Sequence, residues 1–208
     1  MSSRDDILAQ VRRNLPPALP LPPVPAFGVA AGSRLDEFKA ALTRMGGKVA
    51  EAPPDRDLTA LVRKLFPAAT VICSATPEVR GNRALSDVKA PAELDDVGVG
   101  VVRAAFGVAE TGSVWLTDAE LEVNALAFLA QHLVVLLDPE RIVGNMHDAY
   151  RDRARFDARY GVFMTGPSAT ADIEGVLIHG AQGIRSLTAV LAGGGAPTAA
   201  ASRATSAR

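Results

Sequence analysis

From Ser33 onward, short β-rich apolar runs alternate with amphipathic stretches, and this alternation constrains the fold more than any other feature of the chain. "SRLDEFKAALTRMGG" reads as a capped amphipathic helix ended by glycine. "KVAEA" then predicts a short strand, "DLTALVRKLF" a helix and "ATVICS" a buried strand. "VGVGVV", "SVWLT", "HLVVLL" and "GVFMT" continue the series as β-rich runs. Between the last two, "PERIVGNMHDAYRDRARFD" reads as a helix with Pro139 in its first turn. Strands alternating with helices predict an α/β fold: a single domain around an open, mostly parallel sheet. A chain of 208 residues is long enough to bury one such core and still carry tails.

The flanks differ in kind. "SSRDDILAQVRRNL" predicts a short helix with Ser3 as N-cap, Asp5 and Asp6 near its start and Arg12 and Arg13 near its end, which suits the helix dipole. Ile7, Leu8 and Val11 form its apolar stripe. Six prolines between Pro16 and Pro25 then rule out helix or central strand and predict a polyproline-II linker. Two readings stand for this segment: an arm loosely tied to the domain, or a docking element for a partner. "GGGAPTAAASRATSAR" is small, polar and glycine-rich, and disorder is expected there. The expected organisation is an arm over residues 1–32, the α/β domain over 33–192 and a tail over 193–208.

Charge and cysteine usage narrow the function classes. With 22 Lys and Arg against 23 Asp and Glu, no basic field exists to hold nucleic acid. One cysteine, Cys73, can make neither an internal disulfide nor a cysteine-rich zinc or iron–sulfur site, and a reducing cytosol fits it. His132, His147 and His179 lack ligand spacing with one another or with Cys73, so no metal is expected. Cys73 and Trp115 read as packing residues, and "RDRARFDAR" as a solvated helix face with charge pairs. Met1 to Asn14 is charged and lacks the apolar core of a signal peptide. The longest apolar stretch, Leu133 to Leu137, is too short to span a bilayer, so a soluble, cytoplasmic protein is expected.

Two stretches concentrate small polar groups at strand boundaries. "FMTGPSATADIEG" ends a β-rich run with Gly166-Pro167-Ser168, where an open parallel sheet places its ligands. Gly166 permits a close backbone approach, and Ser168 or Thr170 can cap a helical turn whose free N–H groups hold a phosphate or carboxylate. Asp172 and Glu174 read equally as favourable charge at that helix start. "VAETGSVWL" sets Glu110, Thr111, Gly112 and Ser113 before another run. A desolvated Glu110 can serve as base or nucleophile, and a turn glutamate tied to nearby backbone is the plain alternative. The two stretches are expected to face one anion-holding pocket, with Arg103 or Arg185 balancing an acid.

At these residues the chain resembles the LUD-domain family. "ILAQVRRNL", "VAETGSVWL" and "TGPSATADIE" carry the likeness, against family patterns that read A-E-T-G-T/S and G-P-S-x-T-A-D-I-E. The resemblance implies the fold of glucosamine-6-phosphate isomerases, ribose-5-phosphate isomerases and coenzyme A transferases. It also implies a part in L-lactate oxidation beside two iron–sulfur partner proteins, which would hold the clusters while this chain binds no cofactor. Its candidate site is Glu110, Thr111, Gly112, Ser113, Gly166, Pro167, Ser168, Thr170, Asp172 and Glu174. The chain departs from the family's G-x-H-G-P in "IHGAQGIRSL", with Gln182 in place of His and Ile184 in place of Pro. Two functions follow: an accessory subunit in the use of L-lactate or a related 2-hydroxy acid, or a stand-alone isomerase- or transferase-like enzyme acting through Glu110 on a small phosphorylated or carboxylate metabolite.

Overall fold

Five parallel strands form the centre of the molecule, in the order β1 (Lys48–Glu51), β11 (Ser186–Leu191), β6 (His132–Leu137), β3 (Val99–Arg103) and β2 (Ile72–Ser74). The computed structural model describes residues 2–17, 19–20, 22–23, 25, 34–152, 156–171, 175–180 and 182–194. The inner strands are buried on both faces, which is why "HLVVLL" and "VGVGVV" read as unbroken apolar runs. On one face lies α3 (Leu58–Leu65), whose Leu58 and Val62 pack against Ile72, Val99, Val101, Val134, Leu136 and Val190. On the other lies α2 (Arg34–Arg44), with Phe38 and Leu42 against Val102, Leu133, Val135, Leu137 and Leu187.

A second sheet covers the α2 side. Its order is β7 (Ile142–Val143), β4 (Phe106–Val108), β5 (Ser113–Thr117) and β8 (Gly161–Met164). Here β4 pairs parallel to β7, and the other two pairings are antiparallel. Val114 and Leu116 join the main core. On the outer face, Trp115 packs against Phe163 at 4.5 Å and Phe156 at 4.8 Å between ring centres. Two short helices, α4 (Asp118–Leu121) and α5 (Leu126–Leu129), return the chain to β6, and a small hairpin of β9 (Ala169–Thr170) and β10 (Ile178–His179) precedes β11. Trp115 and the fully buried Cys73 are packing residues, and burial pushes the Cys73 thiol up.

The mostly parallel α/β sheet matches the expectation, and the elements around it correct the sequence reading in four places. "SVWLT" and "GVFMT" belong to the second sheet, not the parallel one. β11, which sits between β1 and β6, was not anticipated: "SLTAVL" interleaves Ser, Thr and Ala, and only neighbours on both sides make it a strand. The stretch from Pro139 is not one helix. Pro139–Arg141 make a single 3-10 turn, Ile142–Val143 pair with Gly107 and Val108, and Asn145 caps α6 (Met146–Arg151) by accepting from Asp148 N–H at 2.8 Å. "RDRARFDAR" therefore lies largely beyond that helix, and residues 153–155 fall outside the described residues.

At the start of the chain, α1 (Ser3–Arg13) is capped by Ser2, one residue before the expected Ser3. Ser2 Oγ accepts from Asp5 N–H while Asp5 returns a bond to Ser2 N–H at 3.0 Å. None of its residues is buried, and Ile7 and Val11 are 59% and 54% exposed. Deleting residues 1–27 should therefore move the melting temperature by no more than about 2 °C; a loss of soluble protein would show that the helix serves the core. The domain boundary near residue 33 and the tail from residue 195 lie outside the described residues. Among the described residues no helix is long and apolar enough to cross a membrane.

Candidate functional site

β5 and β8 run antiparallel with Val114 opposite Met164, so the residues before β5 lie beside those after β8. The Thr165 hydroxyl sits 3.1 Å from the Gly112 carbonyl and 3.3 Å from that of Thr111. The stretches around Thr111-Gly112-Ser113 and Gly166-Pro167 are therefore brought together, at an edge of the second sheet instead of the carboxyl edge of the parallel one.

What they meet there is the end of α2. That helix closes in a Schellman motif, Gly47 N–H to Leu42 O at 2.9 Å and Gly46 N–H to Thr43 O at 3.0 Å. Gly112 has φ +65°, and a Cβ on it would lie 2.2 Å from Leu42 N. Gly166 has φ +62°, and its Cβ would lie 2.0 Å from Met45 O. The close approach that these glycines allow is to a helix, not to a ligand. The carbonyls at a helix C-terminus carry partial negative charge, which disfavours an anion beside Gly166. Pro167 packs its ring 3.3 Å from the Cβ position of Gly46.

Ser168 corrects a second expectation. Ser168 N–H donates to Ile184 O at 2.9 Å, and Thr170 pairs with Ile178 in β9. Ala169 and Thr170 are extended, so Ser168 caps no helical turn, and the turn that Thr170 would cap falls outside the described residues. Asp172 and Glu174 lie outside the described residues. Ser113 is buried, and the buried Thr111 Oγ1 has no hydrogen-bond partner. Glu110 is exposed, and its Oε2 accepts from Met146 N–H, the first of α6, at 3.1 Å. It is the turn glutamate tied to backbone. Glu110→Gln should cost less than about 1 kcal/mol of stability, read as a small shift in denaturant midpoint; a larger loss would mean that the charge is held by more than α6.

A different set of residues gathers at the carboxyl edge of the parallel sheet. The crossover from β1 to β2 passes over the α3 face, while the later connections pack Leu85, Leu94 and Leu126 on the other. Connections leaving by opposite faces open a crevice at the strand ends. It is a cleft of about 320 Å³ lined by Ala52, Arg56, Leu58, Glu78, Arg103, Ala192, Gly193 and Gly194. Arg103, the last residue of β3, is only 5% exposed. Its Nε lies 3.0 and 3.1 Å from the two Glu78 oxygens, its Nη2 also bonds Glu78, and Nη1 donates to Ala192 O at 3.2 Å. Arg103 is thus not free to balance Glu110. Arg56 holds φ +57°, a left-handed conformation rare outside glycine, and its guanidinium lies beside Gly194.

Residues 83–192, more than half of the chain, match the family model of the LUD domain. The chain belongs to the LUD-domain family. It is also similar to a solved structure, a DUF162 family protein from Deinococcus radiodurans, with a TM-score of 0.63 and 16% identity over 80% of this chain and 100% of that one. At that identity the likeness shows the fold alone. No curated protein matches the chain. The LUD match takes in Arg103 and Ala192 but begins after Arg56 and Glu78, so the cleft straddles the edge of the matched region. Of the positions where the chain departs from the LUD pattern, Ile184 is 2% exposed and serves the core, whereas Gln182 is exposed.

The cleft had one signal in the sequence: "VGVGVVR" ends a buried run with a charge, where an α/β sheet binds its ligands. Glu78 and Arg56 had none, since they reach the cleft from separate turns. Among the described residues no group of His, Cys, Asp and Glu is placed to hold a metal. His132, half-buried at the opposite end of the sheet, bonds Ser186 through Nδ1 at 2.8 Å and stacks on Phe66. Burial, then Arg185 and Lys48, hold its pKa below the ordinary 6.5. A depressed histidine stabilises the fold above its unfolded pKa and loses that contribution as pH falls. Stability should decline below about pH 6.5, and His132→Gln should flatten that decline in a urea series; an unchanged slope would remove His132 as its source.

Proposed function

We propose that this LUD-domain chain is an accessory subunit in the use of L-lactate or a related 2-hydroxy acid, working in the cytoplasm beside iron–sulfur proteins that hold the redox centres. The observation that carries this reading is the position of Glu110. The acid that the stand-alone isomerase or transferase reading rests on is exposed and engaged in capping α6, so Glu110 is not the desolvated base that reading needs. Family membership supports the setting, and the single cysteine supports assigning the clusters to partners. Affinity purification of the tagged chain from its native cells, grown with and without lactate, tests the reading. Two iron–sulfur proteins should co-purify, more strongly on lactate. Recovery of the chain alone under both conditions would overturn it.

A further inference from the structure

We propose that the carboxyl-edge cleft binds a small carboxylate carrying a hydrogen-bond donor on the adjacent carbon, that is, a 2-hydroxy or 2-amino acid. The proposal builds on the accessory reading only in taking the ligand to be a small metabolite; the binding itself needs no partner.

Three charged side chains line the cleft, Arg56, Arg103 and Glu78. Arg103 and Glu78 already neutralise one another through a charge-assisted pair. The remaining charge is that of Arg56, whose guanidinium has no hydrogen bond or ion pair with any described residue. A net charge of one cation suits a monoanion. A phosphate dianion would bring a second negative charge toward Glu78 without a second free cation, and like charges at this range are costly.

The donor requirement comes from Glu78. Its carboxylate is held in place by Arg103, and its side chain is 26% exposed. Each carboxylate oxygen has two lone pairs, and Oε1 receives only Arg103 Nε, at 3.1 Å. It retains capacity for a ligand O–H or N–H. Gly193 and Gly194 leave the facing wall without side chains, and Ala52, Leu58 and Ala192 supply apolar surface for a short carbon chain. The cleft volume is ample for a metabolite of a few carbons. The left-handed backbone at Arg56 costs free energy and persists only where its surroundings hold it. The guanidinium lies beside Gly194, with Nη1 3.6 Å from that residue's Cβ position.

Calorimetric titration of the full chain with L-lactate, L-alanine, propionate and inorganic phosphate tests the proposal. L-lactate or L-alanine should bind, shifting the amide resonances of Gly193 and Gly194, and propionate should bind at least about tenfold more weakly for want of the donor. The double variant Glu78→Leu with Arg103→Met, which removes the acceptor together with the cation it neutralises, should erase the preference over propionate. Arg56→Gly, which removes the cation and relieves the left-handed strain, should fold at least as well as the native chain and lose binding. Binding of lactate alone assigns the donor to a hydroxyl, and of alanine alone to an ammonium. Silence of all four probes, tightest binding of phosphate, or an unaffected Arg56→Gly overturns the proposal. None of these results bears on whether iron–sulfur proteins co-purify, so the two readings fail separately.

Discussion

Replacing Gly112 with alanine is expected to destabilise the fold by about 2–5 kcal/mol, the sum of a left-handed backbone penalty and an overpacking term. The backbone holds φ +65°, and the added Cβ would lie 2.2 Å from Leu42 N, 2.6 Å from Leu42 Cα and 2.7 Å from Ala41 C. These are helix backbone atoms, which cannot rotate aside as a side chain does. α2 must shift, and with it Phe38 and Leu42, both fully buried against the parallel sheet. Gly175 is the control, because it has φ +71° and nothing within 4 Å of its Cβ position. Gly175→Ala should therefore cost only the backbone term of about 1–2 kcal/mol. The melting temperature of Gly112→Ala should fall roughly 2–4 °C for each kcal/mol. Equal losses at both glycines would show that α2 gives way freely and that Gly112 is present for another reason, such as ligand approach.

Arg103→Met is expected to cost about 2–4 kcal/mol, below the usual loss for a fully buried pair because Glu78 remains partly solvated. Arg103 itself is 5% exposed, and its removal leaves the Glu78 carboxylate without its cation and Ala192 O without a donor. The double variant Arg103→Met with Glu78→Gln should recover much of the loss, since neutralising both partners removes the uncompensated charge. A double-mutant cycle in urea reads the coupling directly. If the double variant is as unstable as the single one, packing of the arginine stem and not the ion pair holds the strand end.

Much of the fold was legible because helix and strand periodicity are local properties. Phe38, Ala41 and Leu42 recur at helical spacing in "SRLDEFKAALTRMGG", and "HLVVLL" is a short, β-rich apolar run that reads as a strand buried on both faces. Pairing is not local, and there the sequence was mute. "SLTAVL" carries Ser186 and Thr188 yet lies between β1 and β6, and "GVFMT" looks like a central strand yet edges the second sheet. The candidate residues followed the same division. The sequence by itself placed Gly112 and Gly166 at strand boundaries and marked both as turn glycines, through turn chemistry alone. Only the tertiary structure decided what they are for, by bringing the end of α2 against them, within 2.2 Å of one Cβ position and 2.0 Å of the other. In the same way, composition supplied the expectation that a chain with one cysteine holds no cluster of its own. The meeting of Arg103 with Glu78, across 25 residues of chain, was decided by the parallel order of β2 and β3, because a register between strands is set by the whole sheet and not by either segment.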